Sequence, residues 1–442
     1  MLISMRKFLQ AIRNIFAIEE LRIRILNTIV FLLLFRIGSY IVLPGIDPAQ
    51  LTGEAQGIFG LLDTFLGGAF SNASILGLGV MPYISASIAI QLLTIAVPYF
   101  QRLQKEGHSG RKILNQITKV LTIFIAMIQA VAYLAAAVSE EIIVISRLFF
   151  TGSSMLILTA GTMFCVWLGD RITDKGIGNG VSMLIMIGIV SSLPGALFSE
   201  VISRGARGVL VVVIELLLLF VIVVGVVMFT QATRKIPVQY AKQMATNSMY
   251  GGQRQYIPLK LNTSGVMPII FSQALMFLPA LIAGIWSDKS AIAASVRSVF
   301  SDFTTWQYNV AFSILIITFT FFYTAITINP TQIADDLKRN NGFIPGVKPG
   351  KPTAGVIDDI LSKITLPGSI FLAIIAILPA FAHMAGMSTA FSRFYGGTSL
   401  LIMVGVVLDT LQQIESLLLM RRYEGLMRSG RVSSRSRDTM VG

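Results

Sequence analysis

The sequence predicts an all-α polytopic membrane protein, and three observations lead to that prediction. Hydrophobic residues make up 54% of the 442 residues, whereas charged residues make up only 13%. The mean hydropathy is +0.75. Apolar windows recur along the chain, each close to the roughly twenty residues that a helix needs to cross a bilayer. Because soluble domains carry about 25% charged residues, this composition argues against a water-soluble globular protein.

Ten windows of this kind are predicted to be membrane helices, numbered here as spans one to ten. They lie near residues 25–43, 75–98, 113–138, 148–169, 178–198, 207–230, 265–286, 308–328, 366–385 and 397–419. The basic segment 1–24 leads into the first span without an A-x-A-like cleavage pattern. We therefore expect no removable signal peptide.

The distribution of basic residues predicts the orientation of the spans. With the N-terminus in the cytoplasm, most of the 35 Lys and Arg residues fall on the cytoplasmic side. This is the positive-inside pattern, so both termini are predicted to be cytoplasmic. Topology therefore accounts for the net charge of +13 better than nucleic-acid binding does. Two cytoplasmic loops, 231–263 and 329–365, are long, polar and rich in Lys, Arg, Gly and Pro, so they are candidates for docking a large partner.

The outer segment GIFGLLDTFLGGAF, Gly57–Phe70, is apolar but too short to span a bilayer. It predicts a short half-inserted helix between glycine-rich hinges, because its apolar surface would otherwise face water. A helix lying in the membrane interface fits the same physics equally well.

Few ionisable residues fall within the spans, and none forms a recognisable site. They include Arg36, Glu215, Asp409 and Glu415. Asp409 is the best candidate for a functional acid, although a helix–helix hydrogen bond or a pair with another subunit explains it as well. The only cysteine, Cys165, allows no intramolecular disulfide and no cysteine-based metal site.

No enzyme motif was found, so we predict a protein that is not an enzyme and has no cofactor and no metal. DKGIGNG, Asp174–Gly180, lacks the Gly-Lys-Ser/Thr ending of a phosphate loop and follows a span. It predicts a tight cytoplasmic turn in which glycine supplies positive φ.

The second span, GLGVMPYISASIAIQLL over 77–93, carries residues that weaken a membrane helix. Pro82 predicts a kink, and Gly77 and Gly79 predict close approach or bending at its outer end. Polar residues in it can form weak hydrogen bonds across helices, so the span suits a wall that moves. Packing in a static bundle is the alternative.

Several motifs resemble the SecY/Sec61 family, the pore subunit of the protein-conducting channel, in its bacterial form. They are VWLGDRITDKGIGNGVSMLIM (Val166–Met186), PLKLNTSGVMP (Pro258–Pro268), GFIPGVKPGKPT (Gly342–Thr353), YGGTSLLIMVGVVLDTLQQIES (Tyr395–Ser416) and RRYEGLM in the tail. The resemblance extends over nearly the whole chain, in order and with the same ten spans.

The resemblance implies two pseudo-symmetric five-helix halves around a central pore, with a short plug helix. The implied boundaries are a cytoplasmic segment 1–24, an N-terminal half 25–198 with the plug at about 57–70, a C-terminal half 199–419 and a cytoplasmic tail 420–442. A lateral gate would open toward lipid between spans two and three on one side and seven and eight on the other.

The resemblance also implies roles for individual residues. The pore ring would comprise Val80, Ile84, Ile185, Ile189, Ile270 and Ile402. The plug would include Gly60, Leu61, Leu62, Phe65, Leu66 and Gly67. The lateral gate would include Ser85, Ser87, Gln91, Gln129 and Leu278, and motor or ribosome docking would use Arg254, Lys348 and Lys351.

Val80 and Ile84, like Ile185 and Ile189, are four residues apart and share a helical face, which is also ordinary membrane packing. Leu278 is apolar where the family's gate is polar. Lys348 stands where the bacterial family has an arginine, and it keeps the charge but not the planar donor fork.

The resemblance implies a passive channel for unfolded secretory polypeptides that also releases hydrophobic segments into lipid. Its implied partners are SecE-like and SecG-like small membrane subunits, the SecA motor ATPase, the ribosome, secretory and membrane protein nascent chains and the lipid bilayer. Its implied location is the bacterial cytoplasmic (inner) membrane. A small-solute transporter is the main alternative, and a membrane-bound enzyme is a third.

Overall fold

The computed structural model describes residues 18–46, 63, 66–137, 146–205, 208–240, 255–273, 275–276, 299–300 and 302–435. These residues divide into two compact units. The first contains the described residues of Met1–Ala55, Leu62–Ser192 and Val406–Gly442, and the second contains those of Leu193–Gly405. The predicted boundaries of the two halves remain predictions.

The described part of the first unit includes six helices. They are α1 (Glu19–Tyr40), α2 (Met81–Ala96), α3 (Pro98–Lys105), α4 (His108–Ala137), α5 (Arg147–Lys175) and α6 (Gly180–Arg204), the last of which continues into the second unit from Leu193. Helix α4 packs against α2, α3 and α5, and α1 packs against α5. Small residues allow close approach: a Cβ on Gly180 would lie 1.9 Å from the Gly169 carbonyl oxygen, so α5 and α6 could not meet there with a larger residue.

The described part of the second unit includes five further helices. They are α7 (Val209–Gln231), α8 (Trp306–Thr327), α9 (Pro330–Arg339), α10 (Lys351–Met384) and the short α11 (Thr389–Ser392). The last helix, α12 (Gly397–Arg435), begins in this unit and enters the first from Val406. Helix α8 packs along α10, and α9 packs on the first turns of α10.

The two predicted polar loops are not irregular connections, because parts of both form one small sheet. Strands β1 (Thr233–Tyr240) and β2 (Gln255–Lys260) come from the first loop, and β3 (Gly342–Phe343) comes from the second. The strand order is β2-β1-β3, and both pairs are antiparallel. The sheet, α9 and the start of α10 share a core, and we call this assembly the β platform. Its buried residues are Ile236, Val238, Leu259, Leu337, Ile344, Ile357 and Leu361.

Helix α9 shows how the sequence fixes the platform locally. The Asn329 side chain caps its N-terminus by accepting from the Thr331 and Gln332 amides, and proline follows at the first helical positions. Lys338 and Arg339 lie in the last turn, where positive charge is favourable.

Seven described helices are long and apolar enough to cross a membrane, or eight if the bent pair Met81–Thr94 and Pro98–Gln104 is one span. The seven coincide with predicted spans three, four, five, six, eight, nine and ten, and the bent pair with span two. Helix α1 overlaps span one, whereas half of span seven lies outside the described residues. The count of ten therefore remains a prediction.

The glycine-rich segment Asp174–Gly180 forms the turn between α5 and α6, and Gly178 has a φ of 84°. The predicted tight turn is therefore confirmed. Backbone amides of the turn also donate hydrogen bonds to side chains of two other helices in the first unit. The Gly178 amide donates to Gln413 Oε1 of α12 at 2.8 Å, and the Ile177 amide donates to Thr28 Oγ1 of α1 at 3.1 Å.

Candidate functional site

Val80 and Ile84, the first two predicted ring residues, lie at the start of α2. Val80 is the N-cap, and its carbonyl oxygen accepts from the Ile84 amide at 3.1 Å. The two residues are therefore one turn apart, as their spacing predicts. Val80 is buried, and Ile84 is half-buried.

Pro82 does not kink this helix, so that prediction is wrong. It is the second residue of α2. Backbone amides in the first turn have no intrahelical partner, so the missing amide of proline costs no hydrogen bond there. The physical reason is the start of the helix, which lies at Met81 rather than near residue 75. Residues 67–80 instead form turns that precede the helix.

The other ring residues are on three further helical segments. Ile185 and Ile189 lie one turn apart on α6, and both are buried. Ile270 is half-buried in the helical stretch 267–273, and Ile402 is buried on α12. Val80, Ile84, Ile185 and Ile189 belong to the first unit, and Ile270 and Ile402 belong to the second. Their role in a ring remains a proposal.

The predicted gate residues of α2 and α4 are half-buried. The Ser85 hydroxyl donates to the Met81 carbonyl oxygen at 3.2 Å, and the Gln91 amide donates to Ser87 Oγ at 3.4 Å. Both of these bonds run within α2, and the bonds expected across helices stay a prediction. Gln129 lies on α4. Leu278 lies outside the described residues.

The segment from Leu66 to Val80, which we call the junction segment, leads from the predicted plug into α2. Leu66 is buried, and a Cβ on Gly79 would lie 2.3 Å from its Cδ2 atom. A Cβ on Gly77 would lie 2.8 Å from Tyr133 Oη. The close approach predicted for both glycines is therefore confirmed. The other predicted plug residues Gly60, Leu61, Leu62 and Phe65 lie outside the described residues, and Gly67 belongs to the turn after Leu66.

The charged residues within the spans are largely used by the fold itself. Arg36 Nη1 donates to the Gly67 carbonyl oxygen at 3.0 Å. Glu215 pairs with Arg204 at 2.8 Å. Asp409 and Glu415 are exposed on α12. No group of three or more His, Cys, Asp or Glu side chains in the described part of the chain could hold a metal ion.

Glu200 was missed by the sequence analysis, because the predicted fifth span ended at residue 198. Its side chain is fully buried near the end of α6 and pairs with Arg204 Nε at 2.9 Å. Its other oxygen accepts from the Ser388 amide at 2.7 Å. Arg204 Nη2 also donates to the Gly386 carbonyl oxygen at 2.7 Å.

We call Glu200, Arg204 and Glu215 the ion triad. Tyr395 lies beside it and donates its hydroxyl to the Glu215 carbonyl oxygen. Burial raises the pKa of the Tyr395 phenol, and the neighbouring carboxylates Glu215 and Glu200 raise it further. The phenol therefore stays protonated and keeps this hydrogen bond. The triad thus ties α6, α7 and the connection between α10 and α12 together.

Lys348 lies at the tip of a constrained turn beside the β platform. Gly346 and Gly350 flank it with φ values of 84° and 105°, which favour glycine. Val347 packs against the platform core, and the Lys348 carbonyl oxygen accepts from Thr353 Oγ1 at 2.9 Å. The Lys348 side chain is exposed, so a fixed backbone presents a free cation.

The other docking candidates differ in what the structure describes. Lys351 is exposed at the first position of α10. Arg254 lies outside the described residues. Arg234, Lys235 and Lys260 add basic side chains to strands β1 and β2, and α9 ends in two more.

A family model for SecY matches residues 74–411, which is most of the chain. The protein translocase subunit SecY of Mycobacterium tuberculosis is 40% identical, over 95% of this chain and 99% of that protein. The chain belongs to the SecY family. The translocase subunit SecY of Streptomyces galbus is also 40% identical, over 95% of this chain and 100% of its own length.

Solved structures agree on the fold. A protein-conducting channel aligns with a TM-score of 0.63 at 17% identity, covering 89% of this chain and 92% of that one. Sec61 in a canine ribosome-channel complex aligns with a TM-score of 0.61 at 15% identity, with coverages of 89% and 92%. The chain therefore has the SecY/Sec61 fold of a multi-pass helical membrane protein.

Proposed function

We propose that this chain is the pore subunit of a protein-conducting channel and has no enzymatic activity. Unfolded secretory polypeptides cross the membrane through it, and hydrophobic segments leave it sideways into the bilayer. The observation that carries the proposal is the 40% identity to a protein translocase subunit over 95% of the chain. The likeness to solved channels in fold supports it.

The ring residues supply the seal. Branched aliphatic side chains at a narrow constriction exclude water and ions, yet they part around a polypeptide because they form no directional bonds. Burial of Val80, Ile185, Ile189 and Ile402 supports this role. Such a ring has no preference for a particular passenger sequence, which suits a channel for many proteins.

The gate residues supply a surface that opens. Ser85 and Ser87 are small, and the Ser85 hydroxyl donates to the Met81 carbonyl oxygen within its own helix. Helix α2 therefore keeps this bond when it moves away from a neighbour. Interhelical hydrogen bonds in membranes average about 0.6 kcal/mol, so bonds to Gln129 would not prevent opening either.

The β platform supplies the docking surface. Its core fixes the backbone, and its exposed Lys and Arg side chains suit an acidic partner surface or the phosphates of ribosomal RNA. Lys348 and Lys351 lie on its rim and Arg254 precedes β2. A SecA-type motor ATPase and the ribosome are the partners that would supply energy there, and SecE-like and SecG-like subunits would complete the channel in the membrane.

The channel resides in the bacterial cytoplasmic membrane, with both termini in the cytoplasm. The bacterial relatives support the location in this membrane, and the excess of Lys and Arg in alternate loops supports the orientation of the termini. Reporter enzymes fused after residues 205 and 435 test the orientation: we expect the first on the outer side and the second in the cytoplasm.

The alternative of a small-solute transporter needs converging polar groups that are free to bind a solute. In the described spans, Glu200 and Glu215 are instead paired with Arg204, and Arg36 is bonded to a backbone carbonyl. These groups serve the fold, and they favour the channel over the transporter.

Reconstitution tests the proposal. The full-length chain, co-purified with its small membrane subunits, is placed in liposomes with a SecA-type motor, ATP and a secretory precursor. We expect the precursor to become protected from added protease. Protection that does not depend on this chain, with the small subunits alone as the control, would contradict the proposal.

A further inference from the structure

Arg36 is a cation near the end of α1 with unusual partners. Its Nη1 atom donates to the Gly67 carbonyl oxygen at 3.0 Å, and its Nη2 atom donates to the Tyr40 hydroxyl at 3.2 Å. The guanidinium carbon also lies 5.3 Å from the centre of the Tyr40 ring. An arginine in a membrane segment is costly, and here it is directed at the backbone of the junction segment.

Gly67 can receive this bond only as a glycine. Its φ is +62°, and a Cβ there would lie 2.5 Å from both Arg36 Nη1 and Ser191 Oγ. It would also lie 2.8 Å from the Gly188 carbonyl oxygen. The Gly67 backbone is therefore enclosed between α1 and α6, and Arg36 closes one side of that enclosure.

A second set of bonds shapes the same turn. The Asp63 carboxylate accepts from the Phe70 amide at 3.1 Å, from the Ser71 amide at 3.0 Å and from the Ser71 hydroxyl at 2.8 Å. The Tyr133 hydroxyl donates to the Phe70 carbonyl oxygen at 2.8 Å. Asp63 is thus bonded to Phe70 and Ser71, which follow Gly67 in the chain, and Phe70 is also held by Tyr133 of α4.

Leu66, a predicted plug residue that directly precedes Gly67, contacts Gly79 near the end of the junction segment. Gly79 immediately precedes Val80, a predicted ring residue. A shift of the Gly67 backbone would therefore move Leu66 away from the residue that leads into the ring.

We propose that Arg36 is a positioning residue for the resting seal: its hydrogen bond to Gly67 keeps Leu66 seated on Gly79. This inference rests on the proposed channel function and names one side chain that stabilises the closed state. A hydrogen bond from a charged group corresponds to about a tenfold or larger factor in an equilibrium constant. Loss of the bond should therefore raise the fraction of channels in which Leu66 has left Gly79 about tenfold.

The test is the resting ion conductance of the full-length chain with its small subunits in planar bilayers. Arg36→Gln should raise the open fraction about tenfold, and Arg36→Lys should raise it less because one charged donor remains. Arg22→Gln, on the same helix with an exposed side chain, is the matched control and should leave the conductance unchanged. Deletion of residues 60–68 is the reference for an unsealed channel.

A second readout measures the exposure of position 66 directly. In a Leu66→Cys chain, a membrane-impermeant thiol reagent should react about tenfold faster when Arg36 is also replaced by glutamine. The native Cys165 is buried and gives the background. If Arg36→Gln does not assemble, Tyr40→Phe removes the Nη2 acceptor alone and should raise the conductance about two- to tenfold.

The outcomes separate the two proposals. If the deletion raises the conductance but neither Arg36→Gln nor Tyr40→Phe does, Arg36 has no part in the seal, although the channel proposal stands. A conductance unchanged by the deletion would count against the plug and the channel. A lower thermal stability of Arg36→Gln with unchanged conductance and labelling would make Arg36 a purely structural residue and overturn the inference.

Discussion

Replacing Arg204 with methionine should strongly destabilise the second unit, because Arg204 neutralises two carboxylates. Glu200 has a fully buried side chain, the Glu215 side chain is 6% exposed, and Arg204 itself is 25% exposed. Arg204 contacts them at 2.9 Å and 2.8 Å. Methionine has a similar length and keeps most of the packing, but it leaves two buried negative charges close together.

The magnitude follows from this burial. Removing one partner of a buried ion pair costs about 3–5 kcal/mol, because the remaining charge stays desolvated. Partial exposure of Arg204 places the expected cost near the lower end, at about 3 kcal/mol. The Lys363–Asp359 pair is a matched control, since it has the same i,i+4 spacing, but its side chains are 73% and 62% exposed. Lys363→Met should cost under about 1 kcal/mol.

Equilibrium unfolding in mixed detergent micelles measures both variants. A third variant combines Arg204→Met with Glu200→Gln and Glu215→Gln, and it should recover part of the loss because no buried charge is left unpaired. If Arg204→Met destabilises the protein no more than Lys363→Met does, the ion triad does not stabilise the unit and this reasoning is refuted.

Three other predictions concern the channel. Ile402→Asn should hydrate the ring, raise resting conductance several-fold and let precursors with weak signal sequences pass; unchanged conductance and export would make Ile402 ordinary packing. Val238→Asp, a charge in the β platform core, should abolish binding of the motor or ribosome in a co-sedimentation assay. Tyr256→Asp, at a half-exposed position of the same sheet, should leave this binding unchanged. Equal effects of the two variants would show that the platform core does not position the docking surface. Lys348→Ala should remove most motor-driven translocation while Lys348→Arg retains it, and undiminished transport by the alanine variant would exclude a role for this side chain.

The sequence predicted the helices well because hydropathy over about twenty residues is a local property of the chain. Span eight, for example, was expected at 308–328, and α8 is Trp306–Thr327. The start of α2 was missed because Gly77, Gly79 and Pro82 lie in an apolar run. Hydropathy does not distinguish their turns from a helix.

Features that depend on distant residues could not be predicted from the sequence alone. Strand β1 pairs with β3, which follows it by about a hundred residues, and no local pattern specifies that pairing. Glu200 was overlooked because its bond from Ser388, and the bonds of its partner Arg204 to Glu215 and Gly386, form only in the folded unit. The family resemblance supplied the candidate ring, plug and gate residues, which the composition and spacing did not distinguish from ordinary packing.

Photo-crosslinking from Ile84 tests the central claim most directly. A crosslinkable residue is placed at Ile84, and a secretory chain is stalled midway through export by a folded C-terminal domain. The control position is Val221, which is 61% exposed on the apolar helix α7. The channel account predicts a crosslink to the stalled chain from Ile84 and none from Val221. No crosslink from Ile84, Ile189 or Ile402, with the stalled chain verified, would contradict it.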